Sequence, residues 1–273
     1  RKRLREMGRE TMELGLQGKA ALITGASKGL GFAIADELAK EGANVSICAR
    51  GSKDLDAAAN VLRERGVSVV PICADVTLDE DITRVVAQSV AQLGHLDILV
   101  NNAGTGSMSV GVELTDEQWQ SSIDTNLLSA VRFTRAVVPH MRKQGGGRII
   151  NMATVSAHTP FAGMTDYNAT KAAMLAFSKT LSFELAVDGI LVNCVAPAFI
   201  HSPLWETLAD SQVPALGANR EEVYRNLTDQ FVALKRFGHA AEVAGLVAFL
   251  ASDRASFMTG SCYDVDGGVP KSI

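Results

Sequence analysis

The chain has 273 residues, 47% of them hydrophobic, and a formal net charge of −4. That length can bury one large α/β core, and mild acidity without a sustained basic run excludes nucleic acid as the main partner. No apolar run reaches the roughly 18 residues of a membrane span, and Cys48, Cys73, Cys194 and Cys262 fall singly on separate apolar runs, which reads as buried reduced thiols in a cytoplasmic protein without a metal centre.

Residues 1–15 open with a basic stretch that lacks the apolar core of a signal peptide, and they read as an N-terminal extension. From there, strand-like runs recur at 20–24, 45–49, 67–74, 98–101, 148–152, 190–195 and 262–265. Most are continuously apolar rather than alternating, the pattern of strands covered on both faces. Helical patterns lie between them at 32–40, 55–65, 79–93, 116–143, 166–187 and 241–250. Strict alternation predicts a single-domain α/β fold, a doubly wound parallel sheet of about seven strands with helices on both faces. The stretch 198–236 breaks the rhythm with prolines, a glycine and Trp205, and reads as an excursion that covers a site.

The first strand runs into Thr24-Gly25-Ala26-Ser27-Lys28-Gly29-Leu30-Gly31, and a helix pattern follows. Glycines there let the backbone approach a pyrophosphate, and the opening helix offers free N–H groups and the positive end of its dipole. The spacing is GxxxGxG rather than the commoner GxGxxG.

Tyr167 and Lys171 lie four apart in a helical pattern, so they share one face. An ammonium beside a phenol favours the phenolate, so the tyrosine pKa is expected to fall, as a general acid/base near neutrality requires.

The glycine turn, Asn101-Asn102-Ala103-Gly104, Asn126 and the run Tyr167-Asn168-Ala169-Thr170-Lys171 together resemble the short-chain dehydrogenase/reductase family over 16–268. Asp264-Val265-Asp266-Gly267-Gly268 and Lys235-Arg236-Phe237-Gly238 also look like that family. The resemblance implies a Rossmann dinucleotide-binding catalytic domain over 16–273 that transfers a hydride between a nicotinamide and a carbonyl or secondary alcohol. It implies that Tyr167 exchanges the proton, that Lys171 holds the nicotinamide ribose, and that Asn126 helps hold a relay water. The family's substrate-orienting serine falls at Thr154, thirteen residues before Tyr167, with Ser156 as the alternative donor. For the cofactor, the resemblance points to Gly25, Ser27, Lys28, Gly29, Leu30 and Gly31 at the phosphates, Asp75 and Val76 at the adenine, and Asn102, Ala103 and Gly104 along the floor. Pro197, Ile200 and Ser202 match the family's nicotinamide-contacting PGxxxT turn, with Ala198 in place of glycine.

Charge decides the cofactor. No acid stands at the end of the second strand, where an NAD-binding chain would place one on the ribose 2′-hydroxyl. Arg50 stands there instead, and Lys28 adds a second cation, so NADP(H) is favoured and NAD(H) is the alternative.

Val155, Phe161, Met108, Leu204 and Trp205 are candidate pocket residues, and His158 and His201 are candidate polar anchors. General resemblance is closest to bacterial 3-oxoacyl carrier-protein reductases, although 198–236 is longer than theirs and Phe183 stands where they often present an arginine. Arg132 and Arg135 are the remaining cations for an acidic partner. A small-molecule carbonyl or alcohol is the expected substrate. Assembly as a homotetramer or homodimer through the long helices and the last strand is what the family implies. Two rival readings are a catalytically silent NADP(H)-binding regulator and a related epimerase or dehydratase.

Overall fold

The computed structural model describes residues 13–106, 110–216 and 219–269. Residues 1–12, most of the expected extension, lie outside the described residues, as does Met108.

Seven strands form one sheet: β1 (Ala20–Thr24), β2 (Asn44–Ala49), β3 (Val69–Cys73), β4 (Ile98–Asn101), β5 (Gly147–Met152), β6 (Ile190–Pro197) and β7 (Cys262–Val265). Their order is β3-β2-β1-β4-β5-β6-β7, and every neighbouring pair is parallel. The chain therefore winds outward one way from β1 and then the other way from β4. The carboxyl ends of β1 and β4 part at this reversal, which is where doubly wound sheets bind ligands.

Among the described residues, nine α-helices flank and connect the strands: α1 (Gly29–Lys40), α2 (Ser52–Arg63), α3 (Asp79–Leu93), α4 (Asp116–Ile123), α5 (Ser129–Gln144), α6 (Thr165–Glu184), α7 (Pro203–Leu216), α8 (Arg220–Phe231) and α9 (Ala240–Ala251). One apolar layer packs α1, α2 and α9 on one face of the sheet through residues such as Ile34, Leu38 and Val247. A second packs α3 and α5 on the other through Ile82, Phe133 and Val137. Alternate residues of β1 feed the two layers, Ala21 and Ile23 into the first and Leu22 into the second, which is why the strand reads as a continuous apolar run.

The strands and the parallel doubly wound order agree with the sequence reading, and three details differ. The expected helix over 116–143 is two helices joined by a π-helical turn, Asp124–Leu128, with Asn126 at its centre. The expected helix over 166–187 ends at Glu184 and is followed by a short 3-10 turn, Ala186–Asp188. None of the four cysteines forms a disulfide among the described residues, but Cys73 is exposed and Cys262 only half-buried, because β3 and β7 are the edge strands. The described residues of the stretch 198–236 include no strand of the sheet and carry α7 and α8 over its carboxyl edge. Among the described residues, no helix is long and apolar enough to cross a membrane.

Candidate active site

At the nucleotide end, β1 stops at Thr24 and the backbone turns through Gly25 (φ +66°) and Gly29 (φ +60°), left-handed conformations that a side chain would strain. Gly31 is constrained by space instead. A Cβ there would collide with the Asn102 side chain and the Gly25 carbonyl.

The turn is fastened on both sides. The Gly25 and Ala26 N–H groups donate to the Cys48 carbonyl of β2 at 2.9 and 3.2 Å. Asn102 Nδ2 donates to the carbonyls of Thr24 and Gly25 at 2.9 and 3.1 Å. The Thr24 hydroxyl accepts from the N–H groups of Asn102 and Ala103 at 3.0 and 2.9 Å. Lys28 precedes α1 in extended backbone, and no side chain caps that helix. Its first N–H groups are thus free for an anion.

Lys28, Gly29, Leu30 and Gly31 form one end of a cavity of about 570 Å³. Arg50 lies two residues beyond the Cys48 carbonyl that holds the turn. Lys28 and Arg50 are exposed, and neither has a carboxylate partner among the described residues. Asp75 uses Oδ1 to accept from the N–H and hydroxyl of Thr77 at 2.9 and 2.8 Å, closing the turn before α3, while Val76 beside it is buried.

The other end of the same cavity holds Tyr167, Lys171, Thr154 and Ser156. Thr154 follows β5, and Tyr167 and Lys171 project from the first turns of α6. Lys171 is 3% exposed and donates to the Met152 carbonyl at 2.7 Å. Its ammonium lies 5.8 Å from the centre of the Tyr167 ring. Burial pulls the Lys171 pKa down to about 8, against a smaller upward pull from Cys194.

The expected lowering of the Tyr167 pKa is not what the protein alone produces. Burial pushes the phenol up to about 12, and only a hydrogen bond with Thr154 opposes it. Lys171 does not lower it because its ammonium is turned to the Met152 carbonyl rather than to the phenol oxygen.

Thr154 sits at the centre of a small hydroxyl network. It bonds Tyr167, donates to the Pro197 carbonyl at 3.4 Å, and accepts from the Ser156 hydroxyl at 3.2 Å. Ser156 therefore orients Thr154, which is the hydroxyl beside the phenol. Asn126 is buried behind the cavity. Its Oδ1 accepts from the Thr105 N–H at 2.8 Å and its Nδ2 donates to Ser122 Oγ at 3.2 Å. A Cβ on Gly104 would lie 3.1 Å from Asn126 Oδ1 and 3.5 Å from Lys171 Nζ. Asn126 thus fixes the segment that passes beside Lys171, and the π-turn sets its depth.

Pro197 ends β6, and the chain then crosses to α7. The segment is held by His201 N–H donating to the Gly238 carbonyl at 3.0 Å and Gly238 N–H donating to the Phe199 carbonyl at 2.8 Å. Ala198 fits without left-handed backbone, since among the described non-glycine residues only Lys235 has a positive φ. Ser202 stands just before α7 and accepts from the Trp205 and Glu206 N–H groups. Pro203 comes within 3.3 Å of where a Gly29 Cβ would be. The start of α7 therefore closes over the glycine turn.

Pro197, Ile200, Ser202, Asn102 and Gly104 line the cavity, whereas Gly25, Ser27, Arg50, Asp75, Val76, Ala103 and Asn126 do not. Of the pocket candidates, Val155, Phe161 and Trp205 line it, and the Leu204 side chain is outside the described residues. Neither histidine does. His201 packs 5.0 Å from Phe237 and 5.7 Å from His239. His158 Nε2 lies 3.3 Å from Asp264 Oδ1 and 3.7 Å from Cys262 Sγ, a grouping the sequence spacing hides. The sequence reading missed Met164, Phe199, Leu208, Leu227 and Phe231, which complete the apolar wall. For Phe199, Leu208, Leu227 and Phe231 the signal was the apolar and aromatic content of 198–236, and Met164 gave none.

A parallel doubly wound sheet, a glycine turn at its reversal, and a half-buried tyrosine with a buried lysine in one cavity define a nucleotide-dependent oxidoreductase of the short-chain class. The family model described as short chain dehydrogenase matches residues 19–213, and the chain belongs to the short-chain dehydrogenase/reductase family. It is 38% identical over 255 residues to 3-oxoacyl-[acyl-carrier-protein] reductase FabG of Staphylococcus epidermidis, covering 92% of this chain and 98% of the relative. It is 36% identical over 259 residues to human dehydrogenase/reductase SDR family member 4, covering 94% and 90%. Among solved structures, L-sorbose reductase from Gluconobacter frateurii, complexed with NADPH and L-sorbose, is similar with a TM-score of 0.93 and 41% identity over 96% of this chain and all of that one.

Proposed function

We propose that the protein is an NADP(H)-linked carbonyl reductase and secondary-alcohol dehydrogenase in which Tyr167 is the general acid and base. The observation that carries this reading is that the glycine turn and the Tyr167–Thr154 pair occupy opposite ends of one cavity. The uncapped first turn of α1 and the cations Lys28 and Arg50 fit a phosphorylated dinucleotide. When bound, the nicotinamide supplies or accepts the hydride.

The chain's own residues do the rest. The Thr154 hydroxyl orients the substrate oxygen, with Ser156 fixing its rotamer. Tyr167, with its proton held to about 12, is a donor across the neutral range, which favours the reducing direction. Lys171 holds the nicotinamide ribose, and Asn126 fixes the Gly104–Thr105 segment beside it. Asp75 keeps Oδ2 for the adenine, Asn102, Ala103 and Gly104 form the floor, and Ile200 and Ser202 present the segment over the carboxamide. Residues 16–273 act as one catalytic unit.

Phe183 and Val187 stand exposed near the end of α6, which supports assembly as a homodimer or homotetramer. The free, buried thiols of Cys48 and Cys194 support a cytoplasmic location. The silent-regulator and epimerase readings are disfavoured because Tyr167, Lys171, Asn126 and a hydroxyl at Thr154 are all in place.

The test is NADPH and NADH consumption across a panel of ketones. Carbonyl-dependent turnover with a preference for NADPH supports the reading, and tight NADPH binding without turnover on any carbonyl supports the regulator. Arg50→Asp replaces a charge-assisted phosphate contact by repulsion and offers an acceptor to a 2′-hydroxyl. The NADPH-to-NADH ratio of kcat/KM should fall about 100-fold. An unchanged ratio refutes the charge argument.

A further inference from the structure

We propose that the ketone delivered to Tyr167 carries apolar, ring-sized or branched-alkyl substituents, and that polyhydroxylated and anionic ketones are poor substrates. The inference rests on the oxidoreductase reading and adds the substrate class.

The cavity that holds the Tyr167–Thr154 pair is walled by Phe161, Met164, Phe199, Trp205, Leu227 and Phe231. These residues come from three separate places in the chain: the segment before α6, the segment after β6, and the helices α7 and α8. Phe161 packs edge-on against Phe231 and Phe199, with ring centres 5.7 and 6.2 Å apart. Phe199 also meets Trp205 at 5.0 Å and stacks on Phe231 at 6.2 Å. Rings that hold one another leave the wall preorganised, with little freedom to turn polar groups inward.

The polar inventory is short. Among the described residues that line the cavity, the only charged ones are Lys28 at the glycine turn and Lys171, which is bound to the Met152 carbonyl. The side-chain hydroxyls next to the phenol are those of Thr154 and Ser156, already bonded to each other, and the other uncharged polar residues of the lining are Asn102, which is bonded to the glycine turn, Thr105 and Ser202. The phenol and its two hydroxyl neighbours satisfy one carbonyl oxygen. Each further hydroxyl of a sugar would lose its water and face carbon, and a carboxylate would be desolvated without a cation. His201, two residues after Phe199, is packed against Phe237 and Tyr224 and does not line the cavity, which leaves Ser202 as the polar side chain of that segment in the lining.

The wall also argues against a carrier-borne thioester as the preferred form. Arg132 and Arg135, the cations available to an acidic carrier, are paired with Asp124 at 3.1 Å and Asp79 at 2.9 Å.

The experiment compares kcat/KM with NADPH for phenylacetone, L-sorbose, pyruvate and the N-acetylcysteamine thioester of 3-oxobutanoate, together with the NADPH dissociation constant. Phenylacetone should exceed L-sorbose and pyruvate by about 100-fold or more, because one hydroxyl added against an apolar pocket already costs about 100-fold and these ketones bring several hydroxyls or a carboxylate. Phe231→Ala should raise KM for phenylacetone about tenfold and leave NADPH affinity unchanged. Because the wild-type comparison stands by itself, a variant that misfolds does not rescue the proposal. Equal or better turnover of L-sorbose, pyruvate or the thioester overturns the substrate class and leaves the oxidoreductase reading intact. NADPH binding with no turnover in any arm overturns that reading and the substrate class with it.

Discussion

Tyr167→Phe should lose about 10³- to 10⁴-fold in kcat while binding NADPH within about threefold of the parent affinity. The phenol oxygen is the only part removed, and the ring that fills the cavity beside Lys171 stays. In the parent, burial holds the phenol proton to about 12, so at neutral pH the group is a donor placed against Thr154. Without it a carbonyl oxygen that gains a hydride must collect its proton from water in an apolar cavity. Folding should barely notice, since the phenol makes one side-chain hydrogen bond, to Thr154, worth about 1 kcal/mol. Stopped-flow single turnovers with NADPH and fluorescence titration of the cofactor separate the two effects. A variant with parent-like turnover removes Tyr167 from the mechanism, and one that fails to bind NADPH makes its role structural.

Lys171→Met should abolish turnover and at the same time alter stability in a pH-dependent way that no surface lysine would show. The parent holds Lys171 buried with a pKa of about 8, well below the 10.5 of an ordinary lysine. Keeping it charged below pH 8 therefore costs the fold about 3 kcal/mol. Between pH 8 and about 10 the unfolded chain binds the proton that the folded chain has lost, so the Lys171 contribution to parent stability rises with pH in that window. Below pH 8 both states are protonated and the cost is constant. Methionine removes the charge, keeps much of the aliphatic stem and leaves the Met152 carbonyl without its donor, which returns about 1–3 kcal/mol of the gain. At pH 7 the variant should match the parent or exceed it by up to about 2 kcal/mol. Urea unfolding should show the parent gaining stability relative to the variant from pH 8 to 10, while both share the fall that begins near pH 9 as unfolding releases the proton of Cys48, whose thiol burial pushes up to about 12. Parallel curves contradict the buried, destabilised lysine.

What the sequence displays and what it conceals divide along physical lines. The central strands are legible because both faces of the sheet are covered, which leaves Ala20 to Thr24 and Ile98 to Asn101 as unbroken buried runs. The glycine turn is legible because a positive φ at Gly25 and Gly29, and the lack of room at Gly31, admit few other residues. Tyr167 and Lys171 are legible as a pair of helical spacing.

The sign of the tyrosine shift is not. It depends on where Lys171 donates its hydrogen bond, and the acceptor, Met152, is nineteen residues away on β5. The π-turn at Asn126 is hidden because its residues suit an ordinary helix, and the extra residue per turn is set by the tie from Asn126 to the Thr105 N–H. The aromatic wall is hidden for a related reason. Phe199, Leu227 and Phe231 look like the apolar side of any amphipathic segment, and only the fold-back of α7 and α8 over the sheet edge turns them toward Tyr167. Cys73 and Cys262 read as buried from their apolar neighbours, and the order of strands, not their composition, puts them at the edges.

The proposed hydride transfer is tested most directly by reducing phenylacetone, and the rest of the ketone panel, with NADPH carrying deuterium at the transferable position of the nicotinamide. Mass spectrometry of the product should find one deuterium on the carbinol carbon, with product formation lost in Tyr167→Phe. NADPH that binds in the cavity and is never consumed, or an alcohol that forms without the label, contradicts the account.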